Sequence, residues 1–330
     1  MDGQLMEAGT TAQGGIVAGE GGAKFLRAIT IVTHCVASLE VAVSHWTDIL
    51  GYTVAESGRL DATACAAWNA PAAAGQRYAL LQPASGEPCY LRFIETGERG
   101  HGPPASWGWT ATELLVQDTD ALALRLEGTG FRRLGGPANL YPRPNAPRAM
   151  QVIGPSGELI YFTRLLPGGS RYGLKQARSP VDRPFICTIG GPAAARMHEF
   201  YAGVLGHRIM ERTPFVNGIL AMLCEAPPGT VFPTAVARIP GRRFLLELDE
   251  FPGHIGPRRR TPGQLPPGMS MVSFSVHSLD ALQALQPGGV PLRAAPRALQ
   301  GVAYGGRRVA VIEGPVGEWL ELIEDPALPP

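Results

Sequence analysis

The sequence predicts an α+β chain made of four copies of one βαβββ module, arranged as two tandem domains. Three observations carry this. The length of 330 residues suffices for two domains with cores of their own. Short motifs recur in the same order about 160 residues apart. A β-rich run followed by a helix signal opens each of four segments.

The repeat is explicit. Asp118-Thr-Asp-Ala-Leu is echoed by Ser278-Leu-Asp-Ala-Leu, and Gly154-Pro-Ser-Gly-Glu by Gly314-Pro-Val-Gly-Glu. Trp46-Thr-Asp-Ile-Leu-Gly-Tyr is echoed by Tyr201-Ala-Gly-Val-Leu-Gly-His. The expected division is a flexible, Gly-rich tail over 1–24, a first domain over 25–166, a linker over 167–182 and a second domain over 183–330.

Each domain splits into two modules. The first opens with the β-branched run 28–36. A helix follows, with Ser38 as N-cap, Glu40 in its positive first turn and Gly51 just past its end. Strands are expected near 77–82 and 89–95, around the turn-forming stretch 83–88. The second module opens at 109–116, places a helix after Asp118 and closes with the hairpin 150–163. The third runs from Phe185, with Pro192 at the first position of its helix, and ends at 244–248. The fourth runs from Met269, with a helix from Ser278 and a final hairpin around Gly314–Gly317.

Composition narrows the function. A net charge of +1 provides no electrostatic footprint for nucleic acid or an anionic membrane. The basic triplet Arg258-Arg259-Arg260 between prolines reads as a solvated loop, or else as an anion-contacting one. Five scattered cysteines without a CxxC predict a reduced, cytoplasmic protein. No apolar run approaches transmembrane length, and no P-loop, dinucleotide fingerprint or nucleophile elbow is present.

The stretch Ser38–Tyr52 after a strand, and Gly314–Glu324 in the last hairpin, resemble the module of the vicinal-oxygen-chelate superfamily of glyoxalases, bleomycin-resistance proteins and extradiol dioxygenases. The resemblance covers about residues 25–325. It implies that paired modules curl into half-barrels whose concave faces hold a small-molecule substrate. It also implies where metal ligands would stand: a His in a module's first strand and a Glu in its last. The first-strand positions here are Ile31, Ala111, Ile186 and Met271, none of which binds a metal. The last-strand positions are Arg92, Tyr161, Glu247 and Glu321.

Strand parity then assigns cavity residues. Thr33, Tyr90 and Trp109 are expected as substrate-binding residues, with Trp68 on a long connection over the pocket. Glu113 lies in greasy surroundings and reads as a general base or as half of a structural pair with Arg92. Arg92 would stabilise an anion and Tyr161 would donate a proton. His34 is a further candidate catalytic residue, or else a satisfied core histidine: by parity it faces the covering helix, and a bulge would turn it into the cavity. The preferred reading is a metal-independent lyase or isomerase working in the N-terminal cavity on a carbonyl- or carboxylate-bearing molecule. No cofactor is expected in that case. The alternatives are a dioxygenase or glyoxalase-like lyase with Fe, Mn or Zn on Glu247 and Glu321, and a non-enzymatic small-molecule-binding protein. Either a monomer or a homodimer satisfies the duplication.

Overall fold

The alternation of branched apolar and polar residues sets the strands, and the computed structural model describes residues 24–97, 104–170, 172–211, 215–240, 243–285 and 290–329. Nearly all of the expected N-terminal tail lies outside them. The first module contributes β1 (Ala28–Val36), β2 (Thr53–Arg59), β3 (Arg77–Gln82) and β4 (Tyr90–Glu95). The second contributes β5 (Gly108–Val116), β6 (Arg132–Asn139), β7 (Arg148–Ile153) and β8 (Leu159–Arg164). The third holds β9 (Val181–Gly191), β10 (Ile209–Glu211), a two-stranded ribbon of β11 (Phe215–Val216) and β12 (Val231–Phe232), β13 (Thr234–Arg238) and β14 (Leu245–Glu250). The fourth holds β15 (Met269–Val276), β16 (Arg297–Ala298), β17 (Arg308–Glu313) and β18 (Trp319–Glu324).

Helix α1 (Leu39–Ser44) starts where expected: the Ser38 hydroxyl accepts the Val41 N–H, and a π turn carries the chain on to Ile49. Gly51 follows with φ +75°, the left-handed conformation a helix end needs and glycine adopts without strain. Helix α2 (Ala62–Ala67) is capped by Asp61, and α3 (Thr119–Arg125) by Asp118. Helix α4 (Ala194–His198) has Ala193 at its N-cap, so Pro192 stands before the cap and not at the first helical position. Helix α5 (Gly218–Leu223) is capped by Asn217. After Ser278 the chain forms a 3₁₀ segment, Asp280–Ala284, in place of an α-helix. Among the described residues no helix is long and apolar enough to cross a membrane.

Two eight-stranded sheets result. Sheet A has the order β16-β17-β18-β15-β1-β4-β3-β2, and sheet B the order β10-β13-β14-β9-β5-β8-β7-β6. The first module therefore pairs with the fourth, through antiparallel β1 and β15, and the second with the third, through antiparallel β5 and β9. Each contiguous half of the sequence spans both sheets, so neither cavity belongs to one half.

The convex faces and helices share the largest core: Val32, Phe93 and Phe274 of sheet A meet Leu114, Phe162 and Ile189 of sheet B, with Trp46 and Tyr201 from the helical segments. The recurring Gly-Pro-x-Gly-Glu hairpins pin this junction. Glu158, between β7 and β8, accepts the Trp46 indole N–H at 3.2 Å and the Ser156 amide at 2.9 Å. Glu318, between β17 and β18, accepts the Tyr201 hydroxyl at 2.8 Å and the Val316 amide at 3.0 Å. In each case a hairpin of one sheet holds the helical segment that covers the other.

Candidate functional site

Parity and register place four side chains in one layer on the concave face of sheet A. Thr33 pairs with Arg92 across β1 and β4, and Ser273 pairs with Glu321 across β15 and β18. Arg92 is buried; its Nε and Nη2 donate to Thr33 Oγ1 at 3.0 and 2.9 Å. Nη2 also donates to Glu321 Oε2 at 3.2 Å, and Nη1 donates to the hydroxyl of Tyr304. Glu321 is wholly buried. Its Oε1 accepts the Trp68 indole N–H at 2.5 Å and the Tyr304 hydroxyl at 2.9 Å, while Oε2 accepts Ser273 Oγ as well as Arg92. Each carboxylate oxygen thus has two donors, which exhausts its lone pairs.

Above this floor opens a cavity of ≈ 470 Å³. Its inner wall is Arg92, Tyr304 and Trp68, and its sides include Ile31 and Leu80. Trp68 sits at the C-terminus of α2, with the Arg92 guanidinium carbon 4.6 Å from its ring centroid, a cation–π contact. Tyr304 comes from the loop between β16 and β17. That loop is tied down where the Val302 amide donates to Glu56 Oε2 at 2.6 Å. Gly301, at φ +107°, passes so close that a Cβ there would lie 2.7 Å from the Glu56 carboxylate. Glu56 also accepts the Tyr78 hydroxyl at 2.5 Å and lines the cavity mouth. Burial pushes the Tyr304 hydroxyl well above its ordinary pKa, the Glu321 charge adds to this, and Arg92 only partly opposes it. One Nη1–H of Arg92 is left over after these bonds.

Sheet B shows the same layer with other residues. Glu113 pairs with Tyr161 across β5 and β8, and Thr188 with Glu247 across β9 and β14. Glu113 Oε1 accepts the Thr163 hydroxyl at 2.5 Å. Deeper on this face lie Leu115, Phe185, Ile186, Val236 and Leu245, and the inter-repeat segment packs Leu165, Tyr172, Leu174 and Ala177 against them. The linker covers part of this concave face with its own apolar side chains.

The expected site residues therefore divide. Thr33, Trp68, Tyr90 and Arg92 come together in sheet A, whereas Glu113 and Tyr161 stand in sheet B. Arg92 pairs with Glu321 and not with Glu113, because the first module pairs with the fourth. For the same reason Glu247 and Glu321 stand in different sheets and cannot share a cation. Trp109 leaves the cavity altogether: a register shift between Trp109 and Ala111 turns it into the central core, where its indole donates to the Trp319 carbonyl at 2.8 Å. His34 keeps the parity expected of it and stacks on Phe93, ring centroids 5.7 Å apart, on the convex side. Tyr304, Glu56, Tyr78 and Ser273 are site residues that sequence reasoning missed. Ser273 was legible as the parity partner of Met271; Tyr304 lies in an irregular loop, and a bulge between Val54 and Glu56 breaks the alternation of β2.

The fold implies a divalent metal at the last-strand carboxylates, and the residues of sheet A do not fit one. The Arg92 cation already touches Glu321, both carboxylate oxygens are saturated, and the other two positions of the layer are hydroxyls. Among the described residues no group of three or more His, Cys, Asp or Glu is placed to hold a metal.

No family model and no curated protein matches the chain. Solved structures do. Glyoxalase I from Zea mays superposes with a TM-score of 0.58 at 12% identity, over 90% of this chain and 92% of that one. A Bacillus subtilis protein described as a dioxygenase superposes with a TM-score of 0.62 at 12% identity, over 92% and 87%. At such identities the likeness establishes the fold alone: this chain shares the overall architecture of those two proteins along nearly its whole length.

Proposed function

We propose that the chain is a vicinal-oxygen-chelate-type enzyme acting on a small carbonyl- or carboxylate-bearing molecule in the sheet A cavity, by acid–base chemistry that uses no metal. The observation that carries this is the Arg92–Tyr304–Glu321 cluster at the cavity floor, with a carboxylate, Glu56, across the mouth.

The roles follow from the bonds. Tyr304 stays protonated and lies at the cavity wall; its single O–H is donated to Glu321 and would turn from Glu321 to a substrate oxygen on binding. The remaining Nη1–H of Arg92 faces the same space and would stabilise negative charge developing on that oxygen. Glu321 fixes both groups from beneath and does not line the cavity itself. Glu56 can take the proton from the carbon next to the carbonyl, since a hydrogen bond from Tyr78 and one from the Val302 amide hold its carboxylate at the mouth.

Hydrogen–deuterium exchange tests the reading without knowledge of the product. Small keto and hydroxy acids are incubated in D₂O with the full-length protein, and loss of the proton next to the carbonyl is followed by NMR. Catalysed exchange in the wild type that collapses in Glu56→Gln and Tyr304→Phe is expected. Exchange equal to wild type in both variants, or protein purified with stoichiometric bound metal, overturns it. Saturable binding with no exchange and no product would instead mark a sequestering protein.

A further inference from the structure

A second cavity, ≈ 530 Å³ and open to solvent, lies where β1 and β5 meet the hairpin after β7 and the loop before β15. Its cation is Arg258. The side chain donates Nε to Ser106 Oγ at 3.1 Å, Nη1 to the carbonyls of Pro267 at 3.3 Å and Met269 at 2.6 Å, and Nη2 to the Trp109 carbonyl at 2.6 Å. Every one of these acceptors is uncharged, and among the described residues no carboxylate pairs with Arg258. Burial first, then Arg260, push its pKa down to about 10. A half-buried cation with no carboxylate partner is partly desolvated, and an anion beside it would offset that cost.

Three donors around it are unspent. A guanidinium has five N–H groups, and one on Nη2 remains after the four bonds above. The Ser106 hydroxyl accepts from Arg258 and its own proton has no acceptor among the described residues. His34 lines the same cavity, and neither ring nitrogen is hydrogen-bonded within the described residues. Glu158 also lines the cavity, but its carboxylate is engaged by the Trp46 indole and the Ser156 amide, and burial raises its pKa.

We propose that this cavity binds a small oxyanion, a carboxylate or phosphate group, through Arg258 Nη2, the Ser106 hydroxyl and the His34 ring N–H. The oxyanion supplies the counter-charge Arg258 lacks, and its oxygens accept from three N–H and O–H donors that have no acceptor among the described residues. The site is independent of the sheet A cavity: it uses the convex side of β1, where His34 alternates with the inward-facing Thr33.

The test titrates the full-length protein with inorganic phosphate and, separately, with acetate, at constant ionic strength balanced by chloride. Calorimetry reads binding, and the His34 imidazole resonances read location. Saturable binding of at least one oxyanion is expected, with His34 shifting at the same midpoint. Phosphate alone, or acetate alone, identifies the group. Because Arg258 also staples three backbone carbonyls, Ser106→Ala and His34→Gln are the informative variants; each should weaken binding by about tenfold, the scale of one charge-assisted hydrogen bond. Absence of saturation in the wild type, or unchanged affinity in both variants, overturns the proposal. Either failure leaves proton exchange at Glu56 and Tyr304 unaffected.

Discussion

Replacing Glu321 by leucine would strand the Arg92 guanidinium in a buried site, and the cost can be worked from the contacts. Arg92 and Glu321 are 3% and 0% exposed, so neither charge can be recovered by water without unfolding. Removing one partner of such a pair costs about 3–5 kcal/mol. Glu321→Leu also takes the acceptor from Trp68, Tyr304 and Ser273, at about 1 kcal/mol each. Arg92→Leu leaves Glu321 with those three donors but without its cation, and should cost about 3 kcal/mol. The double variant removes both charges, leaving only the lost hydrogen bonds, partly offset by two buried leucines. The double variant should therefore be more stable than Glu321→Leu alone, with a coupling energy of at least about 2 kcal/mol. Urea denaturation followed by tryptophan fluorescence measures the four proteins of the cycle. A coupling below about 0.5 kcal/mol would mean the two effects simply add, and would refute a direct ion pair in the cavity floor.

Four further outcomes are expected. Glu56→Gln and Tyr304→Phe should each slow substrate proton exchange by at least about a hundredfold while leaving circular dichroism unchanged, since each removes a proton-transfer group. Burial raises Glu318 to about 7 from an ordinary 4.5, so the folded chain keeps a proton the unfolded chain has lost; that stability is complete below about 4.5 and disappears as pH rises to about 7. Glu318→Gln, a mimic of the protonated form, should then match wild type near pH 4.5 and exceed it above pH 7 by up to about 3 kcal/mol in urea midpoints. His207 Nε2 accepts the Leu26 amide at 3.2 Å and burial holds its pKa at about 4, so its stabilisation is present above 6.5 and lost as pH falls from there towards 4. Hydrogen exchange should show Leu26 losing protection at pH 5 relative to pH 7.5; equal protection, after correction for intrinsic rates, counts against it. In Gly190→Ala the new Cβ would lie 2.0 Å from the Phe251 ring, costing about 2 kcal/mol in thermal melts, and Phe251→Leu should recover part of it.

The sequence made the modules legible because each carries short-range signals: a β-branched run, a capped helix and a glycine hairpin. Parity then located Thr33, Arg92 and Glu321 on inward faces, and the register agrees. Pairing between modules was not legible. Two copies of a two-module unit present the same inner strands whether β1 joins β5 or β15, so local patterning leaves both arrangements open. That one ambiguity moved Glu113 and Tyr161 away from Arg92. Alternation also fails where an extra residue enters a strand: the shift at Trp109–Ala111 sends a tryptophan into the core, and the bulge at Val54–Glu56 conceals a carboxylate on an edge strand. Tyr304 belongs to no periodic element, and the Glu56–Val302 tie together with its own bonds to Arg92 and Glu321 holds it over the cavity.

The cross-sheet pairing also explains how the Arg–Glu pair can stand in one sheet and be absent from the other. Arg92 and Glu321 occupy equivalent positions of the first and fourth modules. In a two-fold dimer of two-module chains, the first module of one copy would pair with the second module of the other, so both cavity floors would carry the same residues. Duplication removes this restriction, because the two floors can then vary separately. Arg92 supplies covalently, from one module, the positive charge that Glu321 requires from the other, and its planar fork reaches Thr33, Tyr304 and Glu321 together. Sheet B diverged along another line: it has glutamates from both modules, Glu113 and Glu247, with the inter-repeat linker packed over its deeper apolar residues. A cavity floor whose charge is internally balanced and whose phenol is held protonated suits proton transfer to an oxygen, and that is why we propose the chemistry for sheet A.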